Sequence, residues 1–162
     1  MPTDPLEYAV RWKVRGYELD GNGHVNNAVY LNWAEEVANQ HAEAAGYGRA
    51  WCAEHGGGWV IHHSEITYHR PAVHGDEVSL RVRVELVRGV RGVRRTWIAR
   101  CPTGELLAEV LTEWAWIRLS DGRPAPAPVE LVDLAASVTD AYLASPEASA
   151  LRRRARGAPA SR

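Results

Sequence analysis

The chain has 162 residues, of which 46% are hydrophobic and 24% are charged, and its formal net charge is −1. Such a chain can bury a core as one domain, and its charge does not indicate a nucleic-acid partner. Two cysteines, Cys52 and Cys101, lack CxxC spacing and favour a reduced, cytoplasmic setting over a disulfide scaffold. The sequence has no secretory-signal pattern and no apolar run near the roughly 20 residues of a membrane span.

The first part of the chain changes from a strand period to a helix period. Apolar residues alternate over residues 8–17, which predicts a strand with one buried face. Residues 18–26 are rich in Gly, Asn and Asp, which is typical of a loop. Apolar residues then recur every three or four positions over residues 27–45, which predicts a helix of about five turns. Asn26 or Asn27 is the expected N-cap.

Four further strands follow, and the chain closes with a helix. Strands joined by hairpins must be antiparallel, and one long apolar helix covers one side of such a sheet. The first strand cannot form a hairpin with the second, because the helix lies between them, so it joins the sheet elsewhere. The fold class is α+β, with one domain over residues 1–144 and a basic, mobile tail over residues 145–162. The predicted ranges are a helical turn at 50–55, strands at 59–68, 78–86, 93–101 and 106–119, and a helix at 129–143.

The segment before the long helix contains the residues most informative about chemistry. A helix start has unpaired backbone N–H groups and a partial positive charge, which can stabilise an oxygen that gains negative charge. Thioester hydrolysis needs such a site, together with a nucleophile or a base that activates water. If the glycine-containing loop folds back, Asp20 can face the same carbonyl as the helix start at Asn27. The alternative is that these residues serve only as loop and capping residues.

Residues 17–30 resemble the signature of the hotdog-fold thioesterases, within the 4-hydroxybenzoyl-CoA thioesterase branch. Residues 14–30 are especially similar to plant acyl-lipid thioesterases (methylketone synthase 2), and the loop shares Asp-x-Asn-x-His-Val-Asn-Asn with plant acyl-ACP thioesterases. Residues 66–76 and 108–124 resemble later parts of the same family. The resemblance implies a hotdog fold, in which an antiparallel sheet wraps around one central helix. It also implies an acyl-thioester hydrolase of fatty acid metabolism, acting on acyl-CoA or acyl-carrier protein.

The resemblance also implies roles for single residues. Asp20 is the expected nucleophile or general base, and the backbone N–H of Asn27 the expected ligand of the thioester oxygen. Some relatives have a catalytic histidine where Asn27 stands, and His24 could replace it from elsewhere in the loop. Asn26 and Tyr30 are expected to contact substrate, with core packing as the alternative for Tyr30.

Three residues of the second predicted strand, His62, His63 and Ser64, could line the acyl pocket. Neighbouring strand residues face opposite sides, so one histidine is expected to face inward. Hydrogen-bonded strand histidines are the alternative. The seven histidines of the chain are scattered and no cofactor motif is visible, so no metal and no cofactor is expected.

Four arginines, Arg88, Arg91, Arg94 and Arg95, cluster around one predicted turn. Guanidinium groups bind phosphates well, and both CoA and the phosphopantetheine arm of a carrier protein contain phosphate. Arg91 and Arg94 are therefore expected to contact the CoA or the carrier. A solvated strand face would give the same pattern.

Two other functions remain open on the sequence. A hydratase or dehydratase of the same fold also pairs an acid with a histidine near the helix start, and an acyl-binding protein could keep the fold without catalysis. Because hotdog proteins usually form dimers and often tetramers, the resemblance implies a homodimer or homotetramer. Its active site would lie between subunits, with residues 59–70 of one chain completing the site of the other.

Overall fold

Five strands and one long helix form the framework of the computed structural model, which describes residues 4–150. The predicted order of strands and helices is confirmed. A short 3-10 turn, Gly16–Glu18, replaces the end of the first predicted strand. The elements are β1 (Glu7–Lys13), α1 (Asn27–Ala44), α2 (Arg49–Glu54), β2 (Gly57–Tyr68), β3 (Glu77–Arg88), β4 (Arg91–Cys101), β5 (Glu105–Arg118), α3 (Val129–Leu134) and α4 (Ala136–Leu143).

The strands form one antiparallel sheet in the order β1-β3-β4-β5-β2. The prediction that the first strand joins the sheet away from the second is confirmed, since β1 pairs with β3. The prediction that hairpins join all four later strands is wrong for β2, which pairs with β5 at the far edge. Residues 69–76 between β2 and β3 contain Pro71 and are too long for a tight turn, so they cross the end of the sheet instead.

Helix α1 covers one face of the sheet because its apolar residues repeat at helical spacing. Its Val37 is completely buried, as are Leu80 and Val82 of β3 on the facing sheet. Burying a side chain of this size contributes about 1.5–3 kcal/mol, so this packing holds the middle of α1 against the sheet. The buried face of the helix comprises Tyr30, Trp33, Ala34, Val37, Ala38 and His41.

Helix α4 covers the opposite face of the sheet, where Tyr142 packs with Leu86 and Val93. Helix α3 lies on the α1 side, where Leu131 packs with Val84.

Two predictions about this C-terminal part are corrected. The single helix predicted over residues 129–143 is two helices, because the chain leaves helical geometry at the buried Ala135. The tail predicted to be mobile from residue 145 continues the core at its start. Ala148 is only 4% exposed and packs with Leu86, Val93 and Tyr142. The rest of that predicted tail, residues 151–162, lies outside the described residues.

Within residues 4–150, none of the helices combines the length and the apolar character that a membrane span requires.

Candidate active site

The loop before α1 is closed by backbone hydrogen bonds at both ends. Asn26 N donates to Glu18 O at 2.8 Å, and Val25 N donates to Ala72 O at 2.8 Å. Nearer the tip, Asp20 N donates to His24 O at 2.7 Å. Gly23 has a φ of 76°, a value that few residues other than glycine adopt readily. The loop therefore folds back on itself between Glu18 and Asn26, with Asp20 near its tip.

The first turn of α1 leaves one backbone donor free. The Asn26 side chain is the N-cap, and its Oδ1 accepts from Ala28 N at 2.9 Å. Val29 N donates to Asn26 O at 2.9 Å. Among residues 4–150, no acceptor takes the N–H of Asn27. This N–H points out of the positive end of an 18-residue helix, where an oxygen with negative charge is stabilised.

The Asp20 carboxylate is held by one oxygen only. Its Oδ1 accepts from Asn22 N at 2.8 Å and from His24 N at 3.1 Å. Oδ2 accepts no hydrogen bond from the described part of the chain, and the residue is exposed. One oxygen therefore fixes the orientation of the group, and the other remains available to attack or to accept a proton.

Two tyrosines support the start of the helix. The Tyr68 hydroxyl of β2 donates to Asn27 O at 2.8 Å, and Tyr68 also packs edge-on against Tyr30, with ring centroids 5.3 Å apart. Burial raises the pKa of Tyr68, so its hydroxyl keeps its proton and remains a donor. Sequence reasoning missed this residue. The available signal was its position in residues 66–76, which resemble the family, but no catalytic motif in that segment singles out Tyr68.

The structure corrects the expected substrate contact of Tyr30. Its side chain is only 2% exposed, and its hydroxyl accepts from Ala72 N at 3.0 Å. Burial raises the pKa of Tyr30, despite the hydrogen bond from Ala72 that favours the ionised form. Tyr30 therefore belongs to the core in this chain and fixes residue 72, which in turn binds Val25 of the loop.

A second residue missed by sequence reasoning is Glu18, whose buried carboxylate ties the loop to α1. It accepts from Trp33 Nε1 at 2.9 Å, from Arg15 N at 2.9 Å and from Arg15 Nη1 at 3.0 Å. Burial disfavours the charged carboxylate, but these hydrogen bonds and the Arg15 charge outweigh it, so the pKa of Glu18 is lowered. An acidic residue inside a loop pattern gave no signal that it would be buried.

The structure leaves both strand histidines, His62 and His63, exposed, so neither is buried as an inward-facing residue would be. The pairing of β2 with β5 shifts in register between Ile61 and His63. Ser64 is half-buried, and its register partner is Thr112. His24 is exposed, and its backbone forms an isolated bridge with Val73.

The predicted arginine cluster is divided between the two faces of the sheet, which corrects the expectation of one shared surface. Arg91 Nε donates to Glu113 Oε1 at 2.7 Å, and Arg95 pairs with Glu85 and Glu147. Arg94 points the other way, toward α1, where its Nη1 lies 2.7 Å from His41 Nδ1. The reason is strand alternation: neighbouring residues of β4 face opposite sides.

Most of the chain resembles known thioesterases in sequence. Residues 14–137 match the family model described as the thioesterase-like superfamily. The long-chain acyl-CoA thioesterase FadM of Escherichia coli is 34% identical over 107 residues, which are 66% of this chain and 80% of that protein. The chloroplastic acyl-acyl carrier protein thioesterase ATL2 of Arabidopsis thaliana is 27% identical over 68% of this chain, and the match spans 58% of the plant protein.

Solved structures agree with these matches. A Thermus thermophilus thioesterase, crystallised with coenzyme A and zinc, superposes with a TM-score of 0.67 at 29% identity. The superposition covers 86% of this chain and 98% of that one. The family model spans most of the chain, and the sheet wrapped around α1 is the architecture that the resemblance implied. The chain is therefore a hotdog-fold member of the thioesterase-like superfamily.

Proposed function

We propose that this protein hydrolyses the thioester of an acyl-CoA or an acyl-carrier protein, with Asp20 as nucleophile or general base. The observation that carries the proposal is the free N–H of Asn27 at the start of α1, following a loop that presents the unpaired Oδ2 of Asp20. FadM is a long-chain acyl-CoA thioesterase and ATL2 an acyl-acyl carrier protein thioesterase, which supports both substrate classes.

The reaction needs one group to attack the carbonyl carbon and another to stabilise its oxygen. Either the Asp20 carboxylate attacks directly, or it takes a proton from the water that attacks. In both routes the carbonyl oxygen gains negative charge beside the Asn27 N–H, and the C–S bond then breaks to release the thiolate. In the direct route the resulting anhydride between Asp20 and the acyl group is hydrolysed by water, which restores the carboxylate.

Asp20→Asn tests the proposal, because the amide can keep the hydrogen bonds of Oδ1 but is a poor nucleophile and base. We expect kcat/KM for thiol release from acyl-CoA to fall by about 10²–10⁴-fold. Asp133→Asn, at an exposed position of α3, is the matched control and should leave the rate unchanged. Unchanged turnover in Asp20→Asn would remove Asp20 from catalysis. Label in the Asp20 carboxylate after a single turnover in oxygen-labelled water would identify the direct route, because it requires water to attack the Asp20 carbonyl of the anhydride.

The same assays distinguish the alternatives. A hotdog hydratase would hydrate an enoyl-CoA without releasing thiol, and an acyl-binding protein would bind acyl-CoA without either reaction. Thiol release that depends on Asp20 contradicts both.

The proposal extends to a dimer that pairs along β2. This strand is an edge of the sheet, and an edge strand leaves backbone donors and acceptors without partners. Large apolar residues are exposed on it, namely Val60 at 41%, Ile61 at 39% and Tyr68 at 43%. Pairing two such edges would continue the sheet across both subunits and bring exposed β2 residues, His62 and His63 among them, to the neighbouring subunit.

A further inference from the structure

The positively charged side chain of Arg94 lines a mainly apolar cavity at the opposite end of α1 from the candidate active site. Arg94 extends from β4 toward α1, and its guanidinium Nη1 is 2.7 Å from Nδ1 of the buried His41. His41 Nε2 lies 3.0 Å from Asp4 O. Because that carbonyl can only accept, Nε2 carries the proton of a neutral imidazole and Nδ1 accepts from Arg94. His41 therefore holds the guanidinium in place without balancing its charge.

The charge of Arg94 has no carboxylate partner. Among residues 4–150, no aspartate or glutamate oxygen lies within the 4.0 Å of a salt bridge, and residues 1–3 and 151–162 contain neither acid. Its neighbours Arg91 and Arg95 both pair with glutamates on the other face. Burial lowers the pKa of Arg94 to about 10, and burial followed by the Arg94 charge lowers the pKa of His41 to about 4. At neutral pH Arg94 is thus charged and His41 is not.

Arg94 is half-buried, and an unpaired charge withdrawn from water is costly, so proteins usually pair such a charge or use it to bind a ligand. The cavity beside Arg94 has a volume of about 80 Å³. Whole-ligand sites begin at roughly 300 Å³, so this cavity suits the end of a ligand. Its walls are mainly apolar and include Leu6, Ala38, Val84, Leu86, Val93 and Leu131.

A wider groove on the surface lies next to the cavity. Asn39, Ala42, Tyr47, Trp59 and Trp114 line both spaces. Glu35, about one helical turn before Asn39, also lines the groove. Since α1 rises about 1.5 Å per residue, Asn27 and His41 are separated by about 21 Å along the helix. An apolar chain could therefore lie in the groove with its terminal group inside the cavity.

We propose that Arg94, oriented by His41, binds the carboxylate at the end of an apolar chain. A guanidinium in an apolar wall matches a carboxylate followed by methylene groups better than it matches a neutral methyl end. Two sources have this chemistry: the far end of an ω-carboxyacyl thioester, and a free fatty acid such as the product of hydrolysis. The first source rests on the proposed function, whereas the carboxylate site itself does not.

Calorimetric titration with octanoate and with octanol tests the site without any turnover. We expect the full-length protein to bind octanoate at least about tenfold more tightly than octanol, because a hydrogen bond to a charged group has that effect. Arg94→Met should remove the difference, and Arg94→Lys should keep part of it. Arg11→Met, at an exposed arginine of β1, is the matched control and should bind as the unsubstituted protein does. Equal binding of the two ligands, or a preference that survives in Arg94→Met, would overturn the proposal.

Thermal unfolding gives an independent readout that also reports folding of the variants. Octanoate that binds the folded protein raises its unfolding temperature. Arg94→Met also removes the donor to His41 Nδ1, so it should unfold at a somewhat lower temperature without ligand, and octanoate should no longer raise that temperature. An unfolding temperature that octanoate still raises in Arg94→Met would contradict the site.

Turnover then identifies the source of the carboxylate. If the source is the substrate, an ω-carboxyacyl-CoA is hydrolysed faster than the alkanoyl-CoA of equal length, and Arg94→Met reverses this order. If the source is the product, octanoate inhibits and Arg94→Met relieves the inhibition. Absence of thiol release from every acyl-CoA would refute the proposed function while leaving the octanoate titration to decide the site.

Discussion

At the start of α1, some residues hold the loop and the helix in place, and others present free polar groups. Asp20 fixes itself with one carboxylate oxygen, Asn26 caps the helix, and Asn27 keeps a free N–H. Glu18 ties the loop to Trp33 of α1, and Tyr68 binds the carbonyl of Asn27. Loss of a supporting residue should therefore appear in stability as well as in rate.

Glu18→Gln should lower the free energy of unfolding by about 1.5–3 kcal/mol near neutral pH, the range for hydrogen bonds to a charged group. Glu36→Gln, on the exposed face of α1, is the control and should change little. Urea unfolding measures both. Equal stability of the two variants would contradict a structural role for the buried carboxylate.

The contribution of Glu18 to stability should depend on pH. Folding lowers the pKa of Glu18 from its ordinary value of 4.5, so its stabilising effect is fully present above pH 4.5. That effect is lost as the pH falls through the lower folded-state pKa. The stability gap between the unsubstituted protein and Glu18→Gln should thus narrow below pH 4.5 in a urea series. A gap that widens toward acid would mean that folding raises this pKa instead.

At the level of elements, α1 links the loop that contains Asp20 to the core, so its N-cap matters to both. Asn26→Ala removes the acceptor of Ala28 N and should cost about 1 kcal/mol. Asn32→Ala, at an exposed position of the same helix, should instead be neutral or slightly stabilising because alanine favours helix. Thermal unfolding of the pair checks the prediction. Equal effects would show that the cap contributes nothing.

The C-terminal segment is a second element whose extent can be tested. Ala148 is buried against β3, β4 and α4, whereas Ser149 is exposed. Ala148→Asp places an unpaired charge in that contact and should destabilise the protein by more than about 2 kcal/mol. Ser149→Asp should stay within about 0.5 kcal/mol. Equal denaturation midpoints for the two variants would place the end of the core before residue 148.

For the whole molecule, the main open feature is the β2 edge. Ile61→Lys places a charge on this edge and should convert a dimer into a monomer in light scattering after gel filtration. Val129→Lys, at an exposed apolar position of α3, should leave the mass unchanged. If the unsubstituted protein is itself a monomer, pairing along β2 is wrong.

Some residues could be assigned from local pattern alone, and others could not. The α1 helix and the loop at Asp20 follow from spacing, glycines and cap residues that act within a few positions. The direction of Arg94 toward α1 does not. Strand alternation puts Arg91 and Arg94 on opposite faces of β4, but which face is inward depends on which one α1 covers. The exposure of both His62 and His63 is likewise not marked by any local pattern, nor is the shift in the pairing of β2 with β5.

The amino-acid sequence by itself determined the order of elements, the α+β class and the placement of a carboxylate loop before the long helix, because periodicity, turns and caps are local properties of a chain. Only the tertiary structure decided that β2 pairs with β5, that Tyr68 binds Asn27 and that His41 meets Arg94. The two side-chain contacts join residues that are 41 or more positions apart along the chain. Contacts between such distant residues are set by how the helix and the sheet pack against each other.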